Sequence, residues 1–282
     1  VSRRRFYEVV SEAVSDFIEH GFDSQERLHK WLVAIRRAAG QALIPEDELE
    51  GILRKSLSRV FRGAASTAVL QHKHVGIPAF KLEQIRYGLH AELRRRIHVG
   101  VDLIKLNRSA AVEQALQRFT GWASSVPAGG TEIASRKETA DKVRRSISGL
   151  PFVERRVVID QGHKLVAAVN DIVARDGGAI AMKWHHIHPG PHYDSRPEHL
   201  ARDGKVFLIR DSWAHKDGLV KLAGGKYLDQ IDQPGEAIFC SCSGIYLYVP
   251  SALPPEMWTA KGRSMILKVA HGERMLAKFG AA

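Results

Sequence analysis

Apolar residues recur at helical spacing through the first 125 residues of the chain. Phe6, Val9, Val10, Ala13, Val14, Phe17 and Ile18 lie three or four positions apart, which puts them on one face of an amphipathic helix that Gly21 can end. Ser24 is placed to cap a second helix carrying Leu28, Trp31, Leu32 and Ile35, with Gly40 as its stop. Pro45 suits the first turn of a third, whose face is Leu49, Ile52, Leu53, Leu57, Val60 and Phe61. After the break at Pro78 one long helical stretch is expected to run toward Trp122, through Leu82, Ile85, Leu89, Leu93, Ile97, Val101, Ile104, Leu116 and Phe119. Asn107 and Ser109 are its expected weak points. These stripes read as ordinary helix-bundle core.

Ser124–Ser135 (SSVPAGGTEIAS) is small, polar and rich in Gly and Pro, so a linker is expected at 126–135. Helical periodicity resumes over Arg136–Ser148. It returns after Pro151, with Val157, Val158, Leu165, Val169 and Ile172 on one face, and ends at Gly177-Gly178. The pattern then changes. Ala179–Trp184, Lys205–Ile209, Ala237–Cys240 and Ile245–Val249 read as short strands, separated by the turn dipeptides Asp203-Gly204 and Asp217-Gly218 and by Gly224-Gly225. A last helix is expected over Met265–Phe279. The predicted class is α+β: an N-terminal helical region (1–125), then a small α+β domain (136–282) with a short antiparallel sheet.

The formal net charge of +11 is shared by both halves, so it belongs to folded surfaces and not to a tail. Such a balance favours nucleic acid or an acidic partner. Arg94-Arg95-Arg96 is the densest basic run, a solvated face or else a phosphate contact. No run of apolar residues is long enough for a membrane span, and Val1-Ser2-Arg3-Arg4-Arg5 opens no signal peptide, so no membrane association is expected. Cys240 and Cys242 are the two cysteines, which excludes a secreted disulfide framework and fits synthesis in a reducing cytoplasm.

Chemistry is concentrated in one place. His185, His186, His188, His192 and His199 crowd the text WHHIHPGPHYDSRPEHLARDGKVF, and PGEAIFCSCSGIYLY follows some way on. Cys240 and Cys242 would share a face if their segment were a strand, and a disulfide between such close neighbours would be strained. Two thiols with two imidazoles suit tetrahedral zinc, His199 being the first partner and His192 the next, although Cys-x-Cys is shorter than the usual zinc spacing. The plainer alternative is two small buried cysteines beside a polar loop. Asp194, Arg196 and Glu198 would also allow a metal-dependent hydrolase or nuclease using the His185–His199 cluster. No His-Glu-x-x-His, Gly-x-Ser-x-Gly, Walker A or dinucleotide fingerprint accompanies them.

The same residues fall into an ordered series. Trp184 comes first, then Asp194-Ser195-Arg196 and His199, Asp203-Gly204-Lys205-Val206, Pro234-Gly235-Glu236, and Cys240-Ser241-Cys242. This series resembles the Mu F-like minor head protein family of tailed bacteriophages, from near Val157 to Tyr248. The chain departs from the family pattern in having Cys-Ser-Cys for Cys-Arg-Cys and an unusually His-rich loop. The resemblance implies a non-enzymatic virion protein of the capsid interior near the portal vertex. Its partners would be the portal protein, the major capsid or scaffolding protein and packaged DNA. Its roles would be in head assembly, DNA packaging or DNA ejection. The helical region would provide the docking surface. Trp184, Asp194, Arg196, His199, Asp203, Gly204, Cys240 and Cys242 would be structural motif residues. Asp194 and Arg196 would fix a loop, Asp203-Gly204 would turn the chain into a strand, and His199 would face the two cysteines. Nothing after Tyr248 has the length expected of an added toxin domain.

Overall fold

A computed structural model describes residues 2–187 and 195–279, the side chains of residues 2–3 and 271–279 excepted. Its helices are α1 Ser2–His20, α2 Gln25–Gln41, α3 Glu46–Ala64, α4 Thr67–Lys73, α5 Ala79–Gly88, α6 His90–Ala123, α7 Arg136–Ser148 and α8 Leu150–Gly177. Strand β1 (Ala181–His185) follows, then α9 (Pro197–Leu200), β2 (Val206–Leu208), α10 (Trp213–Lys216), β3 (Ser243–Leu247) and α11 (Ala260–Phe279). The chain is α+β, as its periodicity predicts. Among the described residues no helix is long and apolar enough to cross a membrane.

Local chemistry accounts for the helix starts. Ser24, Ser66 and Ser135 each accept the backbone N–H three residues on, at 3.2, 3.4 and 3.3 Å, and so cap α2, α4 and α7. Glu46, Asp47 and Glu48 place negative charge in the first turn of α3, where the helix dipole favours it. The long stretch expected after Pro78 is two helices. It breaks at Leu89, whose N–H bonds to Arg86 O in a tight three-residue turn, while Asn107 and Ser109 lie undisturbed inside α6. Gly40 does not end α2, which runs on to Gln41.

The chain forms two compact units, each drawn from two separate stretches. The first comprises Val1–Ser56 and Ile97–Ile159, the second Leu57–Arg96 and Asp160–Ala282. In the first, the stripe of α1 packs with Ile35, Ala38 and Ala39 of α2, Ala115, Leu116 and Phe119 of α6, and Ala140, Val143 and Ile147 of α7. Phe17 meets Phe119 edge to face at 5.5 Å. The supposed linker is part of this unit. Gly129 N–H and Thr131 N–H donate to His20 O and Ile18 O, and Val126 is buried. The approach is close: a Cβ on Gly21 (φ +75) would lie 1.8 Å from Pro127 O, and one on Gly130 (φ +91) would lie 2.2 Å from Ile18 O. Gly130, which mimics a flexible linker, is a residue that lets two backbones touch.

In the second unit β1 lies between β2 and β3, antiparallel to both, with Met182 opposite Phe207 and Tyr246. Both sheet faces are covered. Ala181 and Leu208 join Ile180, Ala214, Leu219, Val220, Leu253 and Met257, while Met182, Trp184, Phe207 and Tyr246 join Ala174, Leu228, Cys240 and Cys242. Ala237–Cys240 is not a strand but a turn, with Phe239 at φ +56. A left-handed residue cannot continue a ladder, so the third strand begins only at Ser243.

Candidate metal centre

The first donor stands on α9, which Pro197 opens with its fixed φ. His199 is 2 % exposed. Its Nδ1 lies 3.5 Å from Cys240 Sγ and 3.6 Å from Cys242 Sγ, and its Nε2 is held by Asp232 Oδ2 at 3.0 Å. Burial pushes the Asp232 carboxyl up, but hydrogen bonds from Arg202 and His199 outweigh it, and the net shift is downward. Arg202 pairs with the same carboxylate at 2.7 Å and lies over the Trp184 ring. Trp184 in turn meets the His199 ring edge-on at 5.2 Å. The imidazole is thus fixed on its faces and at its far nitrogen, leaving Nδ1 toward the sulfurs.

The thiols come from the turn before β3. Asp160, buried on α8 beside Lys164, accepts the Phe239 N–H at 2.7 Å and steadies the left-handed residue that delivers Cys240. Pro234-Gly235 passes beneath. Gly235 has φ +81, and a Cβ there would sit 2.7 Å from Ala167 Cβ, so only glycine lets this backbone approach. Cys240 is drawn toward its thiolate first by the hydrogen bond from Cys242, then by the N–H groups of Gly235 and Cys242 and the charge of His199. Cys242, as donor to that thiolate, is pushed up. Both are free and buried. His199 Nδ1 and the two sulfurs all lie within 4.8 Å of one another, a group that could hold a metal ion. The two cysteines share a side because of the turn, not because a strand alternates.

The other motif positions support the same place. Trp184 is wholly buried. Asp203 accepts the His186 N–H at 2.8 Å, which holds its carboxyl below the usual range. Gly204, at φ +74, turns the chain back so that its N–H reaches Trp184 O and β2 can follow. Arg196 donates to Ile238 O at 2.9 Å and ties the start of α9 to the cysteine turn. His188, His192 and Asp194 lie outside the described residues. His185 and Glu198 are exposed. Of the basic run, Arg95 and Arg96 both clasp Glu92, at 2.6 and 2.7 Å, and Arg94 is exposed.

Sequence reasoning left out Asp232 and Asp160 as supports, since nothing in spacing ties a residue to a partner far along the chain; Gly235 was named in the series, but not its close pass over Ala167. It grouped His186 with the other histidines but did not single it out. The signal was there, because His186 follows Met182 and Trp184 at the two-residue period of one sheet face. A groove of about 840 Å³ opens beside Cys240–Gly244 and is also lined by Lys73, Arg95, Arg96, Lys164 and Asn170. No protein-family model, no curated protein and no solved structure matches the chain.

Proposed function

We propose that this chain is a non-enzymatic minor head protein of a tailed bacteriophage. In this reading it joins the portal vertex inside the capsid during head assembly, and its second unit is a folding module pinned by zinc. One observation carries this. The described residues of the ordered series that resembles Mu F-like proteins converge on one place: Trp184, His199, Cys240 and Cys242 are buried together, and Arg196, Asp203, Gly204 and Gly235 bond to or turn the chain segments that carry them. Residues spent on bracing one another make a scaffold.

Zinc is the ion that two thiols and an imidazole suit best. With bonds of about 2.0 Å to nitrogen and 2.3 Å to sulfur, a tetrahedral ion sets nitrogen and sulfur roughly 3.5 Å apart. His199 Nδ1 keeps 3.5 and 3.6 Å from the two sulfurs. Purified without chelator, the protein should carry about one zinc per chain, and well under one removes the zinc reading.

The head-assembly reading is tested by co-expression with the portal protein of the same phage, followed by imaging. Portal rings decorated by this chain are expected. Failure to associate, together with metal-dependent DNA cleavage lost in His199→Ala, would overturn it in favour of a hydrolase that uses the groove beside Cys240.

A further inference from the structure

We infer that His186 supplies the fourth ligand and closes the centre as a two-cysteine, two-histidine site, with Nδ1 as the donor atom of both imidazoles. The inference rests on the zinc reading above. His186 is 6 % exposed. Its Nδ1 lies 3.3 Å from Cys242 Sγ, close to the nitrogen–sulfur edge of a tetrahedral ion. Its Nε2 meets Ser195 Oγ at 3.0 Å, as the Nε2 of His199 meets Asp232. Metal-binding imidazoles characteristically engage their second nitrogen in this way, because the outer bond fixes both tautomer and ring direction. Both rings therefore turn the same nitrogen toward sulfur and the same nitrogen outward.

The contact of His186 is with Cys242, so closing on His199 and Cys240 takes a turn of its ring. The backbone hydrogen bond to Asp203 holds the residue at the end of β1 while the ring moves. A closed set of four protein donors leaves no position for water or substrate. It gives the ion a structural role and joins the end of β1, α9 and the turn before β3 at one point.

The test is cobalt(II) titration of the full-length, metal-stripped protein, read by the visible bands that report tetrahedral geometry. The wild type should take up one cobalt with intense tetrahedral bands. His186→Ala should weaken binding by more than the roughly 10–100-fold that loss of an outer partner costs, and should lose band intensity as solvent enters. Added imidazole should restore the intensity. His186→Cys should bind cobalt with a stronger sulfur charge-transfer band, which keeps the inference testable if the alanine variant folds poorly. His192→Ala should leave the spectrum unchanged. If the wild type binds no cobalt, the metal reading itself falls. If cobalt binds and His186→Ala leaves affinity and spectrum unaltered, or His192→Ala abolishes them, the metal reading stands and the assignment of His186 is overturned.

Discussion

Acidification should destabilise the second unit through His74, by an amount the structure sets. The residue follows α4, is 1 % exposed, and bonds through Nδ1 to Tyr248 Oη at 2.7 Å. Its Nε2 is buried with no hydrogen-bond partner. Burial lowers its pKa from 6.5 to about 4, the charge of Lys73 adds to the effect, and the Asn170 amide opposes it. The unfolded chain therefore takes up a proton on this histidine before the folded one does. Stability is unaffected above the unfolded value, falls as pH drops through 6.5, and stops falling below about 4. The full loss is about 3 kcal/mol, of which about 2 kcal/mol should appear between pH 7 and pH 5. The chain has other histidines, so the measurement is a difference between two proteins. Urea unfolding of wild type and His74→Gln is followed at half-unit steps from pH 5 to 8. The glutamine variant is expected to start less stable, because the Tyr248 contact is remade imperfectly, but to lose about 2 kcal/mol less on acidification. Parallel curves for the two proteins would refute the reasoning, since burial would then not be holding His74 neutral.

Other consequences are as direct. Gly235→Ala should cost about 2–4 kcal/mol, from a left-handed alanine and an overpacked contact; adding Ala167→Gly should return the steric part and leave the backbone part, as read by thermal unfolding. In the first unit Arg108, buried, bonds to Glu154 at 2.6 Å and to Ile44 O at 2.8 Å. Glu154→Ala should cost about 3 kcal/mol by stranding that charge, while the pair replaced by Met and Leu should recover most of it; a change under about 0.5 kcal/mol on urea unfolding would contradict this. Filter binding should show weak, sequence-independent retention of DNA that disappears as salt rises. Arg94→Ala should reduce that retention more than Arg95→Ala, because Arg95 is already committed to Glu92; no retention even at low salt removes DNA as a direct partner.

The helices were legible because burial writes a period into them. Phe6 to Phe17, and Leu49, Leu53, Leu57 and Phe61, are buried where their spacing places them, although Ile52 of the same stripe is exposed, and the serine cap at 24 acts as read. What misled was glycine. Gly130 looks like flexibility in a sequence, yet here it marks backbone packed on backbone. Ala237–Cys240 carries apolar residues that suit a strand, and only the left-handed Phe239 prevents it. At the site, the three donors His199, Cys240 and Cys242 were found by residue type alone. Their geometry was not, because it is fixed by Asp232, Asp160 and the close pass of Gly235, contacts that span tens of residues and leave no periodic trace.

The way the two units share the chain bears on how the protein can be divided. Each is assembled from two stretches that alternate along the sequence, so no single cut separates them. Expressing 1–125 alone would remove α7 and the start of α8 from the first unit, baring Phe6, Val10 and Phe17. Expressing 136–282 alone would take from the second α4, α5 and with them His74 beneath Tyr248. Neither product should behave as a clean domain. A workable division needs a circularly permuted or spliced gene that rejoins 57–96 to 160–282, whereas truncation to 1–159 keeps every residue of the first unit and carries a fragment of the second with it.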